Sequence, residues 1–208
     1  MKQKIDLDTW DRKEHFLFFN QFEEPYYGVC VTMDCTEAYR FAKANQLSFF
    51  LYTMYLSLMA SQRIKEFTYR IEDGDVFMYD RIDGASTVAR PNGTFGFGFY
   101  TYHDSLADFM AEAKREVEVV QSRTDLVRSD VISLIRYSSL PWIDFTSLSH
   151  ARMFSVPDSA PRISFGKITE LNGKRTFPVS IHVHHALVDG LHVGQYLDLF
   201  QQLMNEGV

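Results

Sequence analysis

Apolar positions along this chain follow two periods, and the switches between them outline the elements. Residues 26–33, Tyr-Tyr-Gly-Val-Cys-Val-Thr-Met, are rich in aromatic and β-branched side chains and predict a strand. Residues 36–45 read as a helix. Residues 49–60 form an almost unbroken apolar run behind Ser48, which predicts a buried helix with that serine as its N-cap. The run is twelve residues long, short of the roughly twenty that a bilayer crossing takes. Leu106, Phe109, Met110, Ala113, Val117 and Val120 keep helical spacing, with Asp104 or Ser105 placed to cap them. Val193, Tyr196, Leu197, Phe200, Leu203 and Met204 do the same near the C-terminus. Residues 11–20 suit a short amphipathic helix, with Phe16 and Phe19 set against Arg12, Lys13 and Glu14.

The remaining apolar runs are strand-like. Residues 67–71 and 76–79 flank Asp73-Gly74, a strong hairpin signal. Strands are expected at 86–90, 94–102, 131–138 and 162–169, the last turning at Asn172-Gly173 into a final strand. No repeat or linker interrupts this order. The expected fold is α/β, a two-layer sandwich in which a mixed β-sheet packs against helices, as one domain over residues 1–208.

Composition narrows the partners. The chain is 46% hydrophobic over 208 residues, enough for a sizeable single core. A net charge of -6 without a basic run argues against nucleic acid, whose phosphates need a concentrated positive face. The first six residues lack the apolar core of a signal peptide, and two cysteines make no disulfide framework. A cytoplasmic protein without a membrane partner is expected.

Chemistry concentrates at residues 178–190, where His182, His184, His185 and Asp189 sit among aliphatic residues. Strand alternation would place His182 and His184 on one face and His185 on the other, among Ile181 and Val183. Structural histidines are one reading of the cluster. A metal site is a second: His182 and His184 are same-face neighbours, but Cys30 and Cys35 are distant and form no C-x-x-C pair, so no metal is expected.

The heptad His184-His185-Ala186-Leu187-Val188-Asp189-Gly190 resembles the HHxxxDG signature of the chloramphenicol acetyltransferase family, whose relatives include the acyltransferase cores of 2-oxoacid dehydrogenase complexes. Trp10-Asp11-Arg12-Lys13-Glu14-His15-Phe16 resembles the family's amino-terminal segment, and Ser138-Ser139-Leu140-Pro141-Trp142 its serine-containing segment. The similarity spans essentially the whole chain. It implies an acetyl-CoA-dependent O-acetyltransferase acting on chloramphenicol or a related small alcohol, with His185 as general base and Ser138 as hydrogen-bond donor to the tetrahedral oxyanion. Asp189 is implied to pair with Arg12 and hold the loop, a support role, not to orient His185 as a triad acid; loss of either member is expected to cost about 3–5 kcal/mol. His182, His184 and His192 are left structural. Phe18, Phe19, Thr87 and Phe95 correspond to acceptor-pocket positions, and Ser164 to a threonine that holds a water.

The same alignment marks departures. Phe19 replaces a tyrosine, Phe97 and Pro25 replace smaller residues, and His150, Arg152 and Arg136 stand near positions that are uncharged in the family. Charge in an apolar pocket would discriminate against chloramphenicol. The resemblance also implies a homotrimer with sites between subunits, His185 of one facing Ser138 and the pocket of the next. The alternatives are an acetyltransferase for another hydroxylated metabolite and a non-catalytic acyl-CoA- or drug-binding trimer. Dihydrolipoamide acyl transfer is disfavoured, since no lipoyl domain precedes the core in these residues.

Overall fold

In the computed structural model, the apolar run forms the helix Phe49–Gln62, with every residue from Leu51 to Ser61 buried. Ser48 Oγ accepts from the Leu51 amide at 3.4 Å, as its N-cap position predicts. The structure describes residues 1–127 and 129–207; Arg128 and the last residue of the expected domain, Val208, lie outside them. In chain order the elements are β1 (Lys2–Lys4), α1 (Lys13–Phe19), β2 (Tyr26–Asp34), α2 (Thr36–Ala44), α3 (Phe49–Gln62), β3 (Tyr69–Glu72) and β4 (Asp75–Tyr79). There follow β5 (Asp83–Ala89), β6 (Phe95–Tyr100), α4 (Leu106–Ser122), β7 (Leu134–Ser139), β8 (Arg162–Phe165), β9 (Thr169–Leu171), β10 (Lys174–His184) and α5 (Gly190–Glu206).

The main sheet runs β2-β10-β8-β7-β5-β6, with β9 paired beside β10. β5–β7 and β7–β8 are parallel and the other pairs antiparallel, so the sheet is mixed. Tyr137, Ile163, Phe165, Val179, Ile181 and Val183 are buried in the core shared with the helices. Ser57 on α3 ties the layers together, bonding Tyr137 Oη on β7 at 2.8 Å and Tyr196 Oη on α5 at 2.6 Å. Two layers therefore enclose the main core.

Both hairpin signals act as read. Asp73-Gly74 and Asn172-Gly173 each place two successive residues at positive φ (51° and 85°, 53° and 78°), the geometry of a type I′ turn whose twist matches the flanking strands. The strand expected at 162–169 is instead two, β8 and β9, because Gly166 tucks under Pro178 and Phe145, leaving a Cβ only 2.4 Å from Pro178 Cγ. A second sheet was not expected: β1-β4-β3. It is tied to β7 by Arg70, fully buried, whose guanidinium donates to the carbonyls of Phe67, Tyr69, Ile132 and Leu134 at 2.5–3.0 Å. Burial lowers its pKa to about 10, which leaves it charged at neutral pH. No helix among the described residues is long and apolar enough to cross a membrane.

Candidate active site

The predicted residues gather in two places. The first lies at the end of β10. The strand stops at His184, so His185 does not occupy its aliphatic face as alternation alone suggested. The His185 amide donates to Pro25 O at 2.8 Å, and the amides of Leu187 and Val188 return to His184 O at 2.9 and 3.0 Å. That turn swings the imidazole out of the sheet, onto Phe19 of α1, with ring centroids 3.8 Å apart and planes 11° apart, and against Tyr27 at 4.6 Å. Its side chain is 34% exposed while Nδ1 is buried, so the open edge of the ring is the other one.

Asp189 is the N-cap residue of α5, and its amide donates to His192 Nδ1 at 3.0 Å. Arg12, at the N-cap of α1, grips both carboxylate oxygens, with Nη2–Oδ1 at 3.0 Å and a second bond from Nη1 to Oδ2. This hydrogen-bonded guanidinium holds the Asp189 carboxyl below the usual carboxylate range. Asp189 Oδ1 lies 3.5 Å from His185 Nδ1, beyond the about 2.7–3.2 Å of a sound hydrogen bond. Asp189 is 30% exposed, so an unpartnered carboxylate there keeps some hydration. The cost of losing one member falls to ~1–3 kcal/mol, below that expected for a fully buried pair.

The second group is on the sheet face opposite Tyr137 and Ile163. Cross-strand register aligns Ser138 with Ser164, Ser164 with Ser180, and Ser180 with Cys30. Thr87 stands one residue beyond the Ser86–Tyr137 pair and so beside Ser138. Ser164 is fully buried with no partner for its Oγ among the described residues. Such an orphan hydroxyl in a native sheet points to a missing ligand or water. One step back along the strands a second row aligns Ala85, Arg136, Arg162 and His182.

His182 lies over Gly28, where any Cβ would come within 2.3 Å of Nε2, and meets His150 edge-on at 4.8 Å. The pocket positions lie apart on one chain: Phe18 and Phe19 accompany His185, Phe97 is the residue opposite Thr87, and Phe95, two residues along the same strand, pairs with Ala89 and is 47% exposed. Sequence reading missed Arg162 and Asp158, although Arg136-Tyr137-Ser138 and Arg162-Ile163-Ser164 repeat one Arg-x-Ser pattern.

Four residues along β10 and two strands across the sheet separate His184 from Ser138, roughly 13 Å by 10 Å, or ~16 Å in all. Within one chain the imidazole of His185 and the hydroxyl of Ser138 do not converge on a common atom. Among the described residues no group of three or more His, Cys, Asp or Glu side chains is arranged to hold a metal ion.

Two imidazoles, one buried and one half-buried, make stability sensitive to acid. Burial pushes His184 down to about 4, with Arg152 adding to it, and burial pushes His150 down to about 4, with His182 and Arg162 adding. Between pH 6.5 and 4 the unfolded chain takes up two protons that the folded chain refuses, so stability falls as pH drops through that window, by at most about 3 kcal/mol per site. Below 3.8 the depressed carboxyls of Asp34 and Asp158 take over, since their contribution is present above that value and lost beneath it. The urea midpoint is expected to drop between pH 7.5 and 5.0, and His184→Gln to flatten the drop. A midpoint unchanged over that interval would mean both imidazoles accept protons in place.

A two-layer mixed sheet, ending in a His-His turn whose aspartate starts the next helix and is gripped by an arginine, places this chain among acyltransferases. A sequence profile described as "CAT: Chloramphenicol acetyltransferase" matches residues 2–201, and the chain belongs to the chloramphenicol acetyltransferase family. It is 28% identical over 208 residues to a chloramphenicol acetyltransferase of Proteus mirabilis, covering 98% of this chain and 94% of that one. A chloramphenicol acetyltransferase of Bacillus pumilus is 27% identical, with 98% and 94% covered. A solved chloramphenicol acetyltransferase superposes with a TM-score of 0.91 at 31% identity, over 98% of this chain and all of that one. The cubic core of a pyruvate dehydrogenase multienzyme complex shares the fold alone, at TM-score 0.65 and 17% identity over 88% and 82% of the two chains.

Proposed function

We propose that this protein transfers an acetyl group from acetyl-CoA to a hydroxyl of chloramphenicol or a related small alcohol, in the cytoplasm and as a homotrimer with its sites between subunits. The feature that supports this most is the division of the site: an open imidazole edge at one end of the sheet and, about 16 Å away on the same chain, a row of hydroxyls in which Ser164 is without a partner among the described residues. Each half is bordered by exposed apolar side chains, Phe18 and Phe22 beside His185, Trp142 and Ile143 just after Ser138. Apolar residues exposed together suit contact with another copy of the chain. Closing a ring of three equivalent contacts would bring the two halves together.

In that site the acceptor hydroxyl gives its proton to the open nitrogen of His185 as its oxygen bonds to the thioester carbonyl carbon. Phe19, stacked against the ring, holds the imidazole in place. The carbonyl oxygen becomes the oxyanion, to which Ser138 donates a hydrogen bond that strengthens as charge develops. Ser164 is set to hold a water beside it. Collapse breaks the carbon–sulfur bond, and the thiolate leaves with the proton that His185 returns. The residues fit the acyl end of such a donor: one free basic edge and hydroxyls not already committed within the chain. A thiol-release assay with acetyl-CoA is expected to show release that depends on an added alcohol. No release across a panel of alcohols would favour the binding-protein alternative, and release without an added alcohol would make water the acceptor and overturn the transferase reading.

A further inference from the structure

Resting on that reading, we propose that the acceptor is a carboxylate-bearing alcohol, its anionic group bound between Arg136 and Arg162 in the cavity one step along the sheet from Ser138. The cavity is about 430 Å³, with Arg136, Arg152, Asp158 and Arg162 on its walls and Ala85, Phe97, Phe99, Met153 and Val156 completing them. Arg136 precedes Ser138 by two residues on β7, and Arg162 precedes Ser164 by two on β8. Strand geometry puts both guanidinium-bearing positions on the face of the hydroxyl row, ~7 Å behind it.

Charge does not close among the groups around this cavity. Arg152 is committed elsewhere: it pairs with Glu24 and lies over the Tyr26 ring at 3.9 Å. This corrects the expectation that Arg152 presents a free charge to the acceptor. His150 does not line the cavity; its ring lies against His182. Among the described residues Asp158 is the one carboxylate that serves both remaining arginines, with Arg162 Nη2 at 2.9 Å and Arg136 Nε at 3.4 Å, while Arg162 Nη1 donates to Ala151 O at 2.9 Å. Asp158 is 10% exposed, Arg162 13% and Arg136 29%, and the buried Arg70 cation also acts on Asp158 and Arg136, so positive charge is in excess in a partly dehydrated place. The facing imidazoles do not add to it, because His150, His182 and His184 all titrate lower than usual and are neutral at pH 7.

A half-buried guanidinium pair sharing one carboxylate is a ready receptor for a second carboxylate, which arginine binds in bidentate geometry. The aromatic and aliphatic walls favour an apolar body between the acid and the alcohol. The reacting hydroxyl would stand roughly one strand repeat, ~7 Å, from the carboxylate. Neutral chloramphenicol leaves the excess cation unmatched.

The probe pair is 4-(hydroxymethyl)benzoate and its uncharged amide, compared by equilibrium binding in the whole protein and in a His185→Ala variant. The carboxylate is expected to bind at least tenfold more tightly than the amide in both proteins. Arg136→Gln, which leaves the Arg162–Asp158 bond intact, should bring the two probes to within about twofold of each other. Equal binding of acid and amide by the parent overturns the anion site, whatever the variant does. Acid-selective binding without any acetyl transfer to the probe or to any alcohol of the panel would keep the anion site and sink the acetyltransferase reading instead.

Discussion

The His185→Ala protein is expected to release thiol from acetyl-CoA some hundredfold to ten-thousandfold more slowly than the parent at saturating acceptor, with its melting temperature lowered by only a few degrees. The rate loss follows from removing the proton acceptor of an alcohol whose oxygen is a poor nucleophile until its proton is leaving. The modest stability cost follows from the surroundings. The imidazole is 34% exposed, its Nδ1 makes no hydrogen bond, and its main packing is one stacked face on Phe19. Phe19 is itself packed edge-on against Phe18 and near Phe22, so it has other neighbours to lean on when the imidazole goes. Turnover within a few-fold of the parent would remove His185 from the chemistry altogether. A large loss of stability would assign it to the scaffold with the other histidines.

The second large effect should appear when two inactive proteins are mixed. His185→Ala and Ser138→Ala chains, dissociated and reassembled in equal amounts, are expected to regain activity at about one site in four, because a site built from two chains draws each half from an intact copy half the time. Each lesion alone abolishes every site in its own trimer. If His185 and Ser138 worked within one chain, each reassembled site would keep a lesion and nothing would return. The ~16 Å between the two positions on one sheet makes that outcome hard to build. A fully active monomer by light scattering would defeat the shared site directly.

Local rules carried far in this chain. Asp-Gly and Asn-Gly turned as their dipeptides require, and Ser48 and Ser105 capped the helices they precede. The charge-poor run became the buried helix because it carries no charge, and its Tyr55 and Ser57 hydroxyls find partners within the protein. What stayed illegible depends on partners distant in sequence. β1 is three exposed polar residues, Lys-Gln-Lys, which carry no apolar alternation; it is a strand because β4 offers it an edge. One exception is local: His185 leaves the strand because the amides of Leu187 and Val188 fold back on the His184 carbonyl, a turn that strand alternation alone does not show. The Arg12–Asp189 meeting was reached through resemblance and not through spacing, since the two are 177 residues apart. Arg136 and Arg162 are neighbours only through the β7–β8 register, and register cannot be read from either strand alone.

Gly28 bears on how this sequence can drift. The His182 ring occupies the space where a side chain at position 28 would begin, with Nε2 2.3 Å from the nearest Cβ position. The two sites are cross-strand partners on β2 and β10, with no slack between rigid backbones. The constraint therefore runs one way: a lineage that gains alanine at 28 must first shrink or displace the ring at 182, whereas residue 182 can shrink while 28 is still glycine. Across descendants of this chain an imidazole at 182 should be inherited with glycine at 28, a covariation set by excluded volume and independent of which acceptor selection favours.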